Sequence, residues 1–204
     1  MKKLGLISLL RFSRKKQLTL GILGEVNAGK TTLANRIGEE FAGKTLGTVS
    51  EIPHETREVV ELNNVNFKTQ SGKGLTLNLV DTPGIASTVD YRDFTKFGMT
   101  TKEAQTRAKE ATHGVIKAIQ SLNNLDAAVI VVDSARQPFN QVNWTIIGNL
   151  KSKNIPIIVA ANKNDLPESD PSLVSEVFQS KAIPISALTG NGINRLYEAI
   201  GKVS

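Results

Sequence analysis

No cysteine occurs in the chain, so neither a disulfide framework nor a thiolate metal site can form, and a small secreted, disulfide-stapled domain loses its main support. Long apolar runs are also missing. The stretch Leu4–Leu10 covers only seven residues, against the ~20 that a membrane helix needs. Arg11–Lys16 follow it with no small-residue cleavage pattern, which argues against a signal peptide. There is no transmembrane segment to read, no repeat and no low-complexity tract, so a cytoplasmic location is the default expectation. What remains is ordinary globular material: 40% hydrophobic residues, 22% charged and 16 glycines in 204 residues, a length that suits one main domain with a substantial core.

The formal net charge of +6 is unevenly placed. Lys2, Lys3, Arg11, Arg14, Lys15 and Lys16 carry it, with no acid among residues 1–16, which leaves 19 basic and 19 acidic residues in 17–204. A basic extension over 1–16 and a formally neutral body over 17–204 follow, so attraction to an anionic partner would concentrate in the extension. At helical spacing Leu4, Leu6, Leu9 and Phe12 scatter round the wheel among the charges, a poor pattern for a membrane-surface helix. Contact with ribosomal or other RNA phosphates, a membrane surface, and packing on the body all remain open for it.

Along the body, strand-like Gln17–Leu23 ends at Gly24 and a helix-like stretch Lys30–Glu40 follows. Residues 43–57 have no sustained period and read as a long loop, which at this length usually carries function. Glu58–Leu62, a turn at Asn63–Asn64, Val65–Gln70, a turn at Ser71–Gly74 and Leu75–Asp81 suggest a hairpin; Leu75, Leu77 and Leu79 alternate as in a strand. From Lys102 to Leu122 the residues Ala104, Ala108, Ala111, Val115, Ala118, Ile119 and Leu122 share one helical face, expected to lie on the sheet. The apolar runs Ala127–Asp133 and Ile155–Ala161 suit strands buried on both faces. A helix from near Pro138 to about Lys151, another over Ser172–Phe178, a strand Ala182–Ser186 and a helix Gly192–Val203 complete an alternating pattern. That alternation predicts a mostly parallel α/β sheet with helices on both faces.

Gly24-Glu25-Val26-Asn27-Ala28-Gly29-Lys30-Thr31 matches the phosphate-loop pattern between a strand and a helix, where glycines let backbone N–H groups turn onto phosphates. In such a loop Lys30 reaches the β- and γ-phosphates and Thr31 places its hydroxyl on Mg²⁺, while Thr32 follows in the first helical turn. Asp81-Thr82-Pro83-Gly84 closes a strand at its carboxyl end, where ligands bind in open α/β sheets; Asp81 would hold Mg²⁺ through water and the Gly84 N–H would sense the γ-phosphate. Asn162-Lys163-Asn164-Asp165 stands beyond another buried strand. A carboxylate at Asp165 can accept hydrogen bonds from both N1–H and the 2-amino group of guanine, and adenine offers neither. The stem of Lys163 would cover the ring and Asn162 would tie this loop to the phosphate loop. Ser186-Ala187-Leu188 after the last strand adds a backbone donor for the guanine carbonyl oxygen.

With these four motifs in order, the sequence resembles the translation-factor-related class of small P-loop GTPases, and within it the Era-like group, over about residues 17–203. The resemblance implies GTP and GDP as ligands, Mg²⁺ as cofactor, and a six-stranded, mostly parallel sheet with one antiparallel edge strand and helices on both faces. It also implies two nucleotide-sensing switches and a role in ribosome or RNA assembly. Thr56, in Glu55-Thr56-Arg57-Glu58, is implied as the Mg²⁺-binding threonine of the first switch, with Thr48 as the competitor. Lys30, Thr56 and Gly84 would act in hydrolysis. Where many such proteins place a water-orienting glutamine after DxxG this chain has Ile85, which can neither donate nor accept a hydrogen bond. Asn27 matches the asparagine that coordinates K⁺ in similar potassium-activated GTPases, or is a plain turn residue. Slow hydrolysis that potassium or a partner stimulates is one expectation; a binding switch that recruits a protein or membrane partner through Ala86–Thr101 and the tail is the other. His113, opposite the apolar stripe, reads as a solvated surface residue.

Overall fold

A computed structural model describes residues 17–47, 59–83, 90–138 and 141–203. Six strands, β1 (Gln17–Leu23), β2 (Val60–Lys68), β3 (Gly74–Asp81), β4 (Ala127–Asp133), β5 (Ile157–Asn162) and β6 (Ile183–Pro184), form one sheet in the order β2-β3-β1-β4-β5-β6. Only β2 and β3 pair antiparallel; the other four pairings are parallel. The helices are α1 (Lys30–Ala42), α2 (Tyr91–Thr95), α3 (Thr101–Ser121), α4 (Gln141–Ser152), α5 (Pro171–Phe178) and α6 (Ile193–Val203). The α/β class, the six strands and the antiparallel edge strand expected from the sequence are all present.

The unbroken apolar run of β4 has a simple cause: every one of its residues is buried. Ala127, Val129 and Val131 pack with Leu33 and Ile37 of α1 and Leu196 and Ile200 of α6. Ala128, Ile130 and Val132 face the opposite side, against Val142, Ile146 and Leu150 of α4 and Val174 of α5. Two cores, one on each side of the sheet, hold the strand ends in place by removing apolar surface from water at roughly 25 cal/mol per Å².

Three local expectations need correction. Asn63–Asn64 does not reverse the chain: β2 runs through it as a bulge between Leu62 and Val65. Asn64 sits at φ 60, a left-handed conformation that asparagine tolerates, and its N–H donates to Asn78 Oδ1 at 3.1 Å, so the displaced donor is satisfied within the sheet. Reversal occurs only at Ser71–Gly72, where Gly72 has φ 87 and Glu198 of α6 accepts from both Ser71 N–H and Ser71 Oγ at 2.8 Å. Second, Ala104 and Ala111 of α3 pack with Phe94 of α2 and with Met99 in a cluster of their own, while Ile119 is 37% exposed. The short α2, capped by Asp90, supplies what that alanine face covers. Third, β6 is two residues long; Pro184 sits on this edge strand, where a missing N–H is tolerated, and the Ile185 N–H still donates to the Ala161 carbonyl at 2.9 Å. His113 is exposed, as expected.

Candidate nucleotide site

Because β1, β3, β4, β5 and β6 run parallel, their carboxyl ends share one rim of the sheet. Gly24, Asp81, Asp133, Asn162 and Ser186 all stand at or just beyond those ends. Thus the four motifs, spread over more than 160 positions of sequence, meet on one edge.

The loop from Gly24 to Gly29 turns tightly between β1 and α1. Gly24 has φ +148, and a Cβ there would lie 2.3 Å from the Val131 carbonyl oxygen; Gly29 has φ +94, and its Cβ would lie 2.3 Å from Asn162 Nδ2. Any side chain at either position would push the loop off β4 or off the Asn162 amide. Val26 is half-buried, Asn27 is exposed with φ 61, and Ala28 is fully buried. Lys30, Thr31 and Thr32 form the first turn of α1, whose N–H groups open toward the loop and carry the positive end of the helix dipole. Lys30 is buried and donates from Nζ to the Glu25 carbonyl oxygen at 2.9 Å. Burial lowers its pKa to about 8, and the nearby Asp81 and Glu25 carboxylates act in the opposite direction.

Asp81 is fully buried at the end of β3. Its Oδ2 accepts from Thr31 Oγ1 at 2.8 Å, whereas Oδ1 has no hydrogen-bond partner among the described residues. Burial pushes its pKa up, while Lys30 and the donors Thr31 and Thr82 pull it down. An orphaned, buried carboxylate oxygen beside a threonine hydroxyl is a donor set that suits a hard cation such as Mg²⁺. Next to it, Thr82 Oγ1 donates to the Ile22 carbonyl at 3.0 Å, so the strand end is pinned to β1. Gly84, Ile85, Thr48 and Thr56 lie outside the described residues.

Asn162 makes the link the sequence suggested. Its Nδ2 donates to the Ala28 carbonyl at 2.8 Å and its Oδ1 accepts from the Ala187 N–H at 2.8 Å. One buried amide therefore joins the phosphate loop to the Ser186–Leu188 loop. The Ala187 N–H is thus already engaged by Asn162. Ser186 is fully buried and its Oγ accepts from Thr189 N–H at 3.0 Å, while Leu188 is 73% exposed. Asp165 is exposed and makes no hydrogen bond among the described residues, so its carboxylate is available to a ligand.

Three residues that frame the site escaped the sequence reading. Arg36 of α1 donates to the Ala187 and Leu188 carbonyls, both at 2.7 Å, and holds the last loop from beneath. Asn35 accepts from Leu46 N–H at 2.7 Å and Gly47 N–H at 3.0 Å and donates to the Gly47 carbonyl at 2.7 Å, which fixes the start of the loop after α1. Asp133 ends β4 and pairs with Lys163. Only Asp133 left a trace in sequence, as the one charge that closes an otherwise apolar run; Asn35 and Arg36 look like ordinary polar positions on a helix.

Comparison with known proteins agrees with this geometry. The 50S ribosome-binding GTPase family matches residues 19–163 of the chain. The tRNA modification GTPase MnmE of Clostridioides difficile is 32% identical over 181 residues, covering 88% of this chain and 33% of that protein. GTPase Era of Geotalea daltonii is 28% identical over 188 residues, covering 89% and 53%. Elongation factor 4 of Campylobacter curvus is 29% identical over 194 residues, covering 88% and 28%. The chain thus spans between about a quarter and about half of the length of these relatives. Among solved structures, a point variant of Aquifex aeolicus Era bound to GDP.AlF4- superposes with a TM-score of 0.68 at 23% identity, covering 92% of this chain and 56% of that one. Era in complex with MgGDPNP and nucleotides 1506-1542 of 16S ribosomal RNA gives 0.66 at 24%, covering 93% and 57%. With its phosphate-loop and base-loop motifs gathered on one sheet edge and the family match spanning residues 19–163, the chain belongs to the 50S ribosome-binding GTPases.

Proposed function

We propose that the chain binds GTP and GDP together with Mg²⁺ and hydrolyses GTP as a molecular switch. The observation that carries this is the Asn162 amide, which holds the phosphate loop and the base loop to each other and so sets a fixed span between a phosphate-binding end and a base-binding end. The N–H groups from Gly24 to Thr32 surround the phosphates, and Lys30 leaves the Glu25 carbonyl for the β- and γ-phosphates. Thr31, Thr56 and Asp81, the last through water, would hold Mg²⁺; when bound, the ion supplies positive charge to the phosphate oxygens. The Gly84 N–H reads the γ-phosphate. Asp165 takes the guanine edge, the Lys163 stem covers the ring, and Ser186, Ala187 and Leu188 lie beside the carbonyl oxygen.

With Ile85 after the DxxG motif, no side chain there orients the attacking water, so the chain alone turns over slowly. Asn27, exposed in the phosphate loop, would be the ligand of a K⁺ ion, whose charge would stabilise the departing phosphate oxygens. Turnover measured in KCl is expected to exceed turnover in NaCl by roughly tenfold or more, the low end of what one added charge at a reacting oxygen yields. Equal rates in the two salts would remove the potassium role and leave hydrolysis dependent on a partner.

For the biological role, ribosome or RNA assembly is supported by the family description and by the relative solved with a 16S ribosomal RNA segment; the charge of residues 1–16 fits a phosphate-rich surface. Co-sedimentation with ribosomes at low salt is expected for the GTP-loaded chain, weaker with GDP, and weaker again without residues 1–16. Flotation with liposomes in place of sedimentation would turn the role toward a membrane. A protein effector at 86–101 is the second reading. It is favoured by the exposed rings of Tyr91 (37%) and Phe97 (45%) and by a cavity of about 520 Å³ between Phe97, Met99, Lys102 and Arg107. Pull-down with the chain loaded with GTP against GDP tests it.

A further inference from the structure

We propose that Asp133 is a positioning residue for nucleotide binding, which tethers the Lys163 ammonium so that the lysine stem is already laid out as the wall on which the base stacks; this rests on the guanine-site reading above. Asp133 is 4% exposed at the carboxyl end of β4, directly in register with Asn162 of β5. Its Oδ2 receives Lys163 Nζ at 2.7 Å and Arg136 Nε at 3.4 Å, and its Oδ1 accepts from the Ala135 N–H at 3.1 Å. The partners differ in kind. Arg136 is 68% exposed, whereas Lys163 is only 30% exposed and stands between the two base-loop residues Asn162 and Asn164.

Lys163 adopts φ 64, a left-handed conformation that a lysine enters only when its surroundings hold it there. They do so from both ends. Asn164 N–H donates to the Ile185 carbonyl at 3.0 Å, and Ser134 N–H donates to the Asn162 carbonyl at 3.0 Å, which fixes the backbone on either side. Of the two cations on the buried Asp133, Lys163 is the nearer and the less exposed, so the pair holds the far end of the side chain while the backbone holds the near end. A free lysine stem would have to be ordered when a base arrives. Tethered at both ends, it is ordered beforehand, and the bound complex is spared that loss of freedom.

Stacking on a stem does not read the base edge, whereas a carboxylate at Asp165 does. The two roles are therefore separable. Dissociation of GDP and of IDP, which lacks the 2-amino group, is to be measured in the 204-residue protein and in Asp133→Asn, Lys163→Met, Lys163→Ala and the double variant Asp133→Asn/Lys163→Ala. Asp133→Asn is expected to speed release of both nucleotides by the same factor, about two- to tenfold, the range that ordering one long side chain accounts for. Lys163→Met keeps an unbranched stem without its tether and should show the same change. The double variant should release no faster than Lys163→Ala alone, because without the stem the tether has nothing to place. Release from Asp133→Asn or Lys163→Met at the unaltered rate overturns the proposal, and so does a double variant whose loss is the product of the two single losses, the sign of a merely structural aspartate. Should the unaltered protein hold GDP and IDP equally, the guanine-edge role of Asp165 fails, while an equal change for both nucleotides still supports the tether.

Discussion

Asp165→Asn is expected to cut affinity for GDP by on the order of a thousandfold and to raise affinity for xanthosine diphosphate, with the phosphate contacts untouched. The exposed carboxylate has no competing partner among the described residues, so it meets guanine through two parallel, charge-assisted hydrogen bonds of about 1.5–3 kcal/mol each. An asparagine offers one acceptor and one amide donor. Against guanine its amide would face the 2-amino group, donor to donor; against xanthine, with an oxygen at that position, the pairing is restored. Competitive displacement of a labelled nucleotide by GDP and XDP measures the exchange. If the order of preference stayed with guanine, Asp165 would not be the residue that reads the base.

Asn162→Ala acts on a different level, through the scaffold. It would orphan the Ala28 carbonyl and the Ala187 N–H, both in buried residues and both now paired at 2.8 Å. Each orphaned buried group costs about 1–3 kcal/mol, and the truncated side chain adds a small void beside Gly29, whose backbone is packed to the Asn162 amide. For a protein of this size a loss of that order lowers the melting temperature by roughly 5–20 °C. Nucleotide affinity should fall with it, since the phosphate loop and the Ser186–Leu188 loop lose the amide that holds them together. Thermal melting of the nucleotide-free protein followed by a GDP titration reads both effects; a melting temperature within about 2 °C of the unaltered protein would mean that other contacts carry the link.

Different parts of this molecule were legible in the sequence to different degrees. Motifs set by a local backbone requirement stood out: Gly24 and Gly29 have positive φ and abut neighbouring atoms, so no other residue type fits, and a glycine pattern marks them. Buried strands were visible because β4 is covered on both faces and admits only apolar residues until Asp133 at its carboxyl end. Asn63–Asn64 misled because an asparagine in the left-handed region serves a turn and a bulge equally well; only the partner strand, with Asn78 placed to accept the stray N–H, selects the bulge. The alanine face of α3 likewise announced that it would be covered but not by what, and Phe94 of α2 was the cover.

The sequence by itself determined the ligand chemistry to expect and the sheet that would carry it, since phosphate loops, base-reading carboxylates and doubly buried strands each impose a residue pattern within a few positions. Beyond the expected tie from Asn162 to the phosphate loop, tertiary structure alone decided how the pieces hold one another: Asn162 on the Ala187 N–H, Arg36 under Ala187 and Leu188, Asn35 on Leu46 and Gly47, and Asp133 on Lys163. Those contacts join residues up to 152 positions apart through ordinary polar side chains. A polar side chain outside a local motif shows its function only when folding brings its partner within about 3 Å.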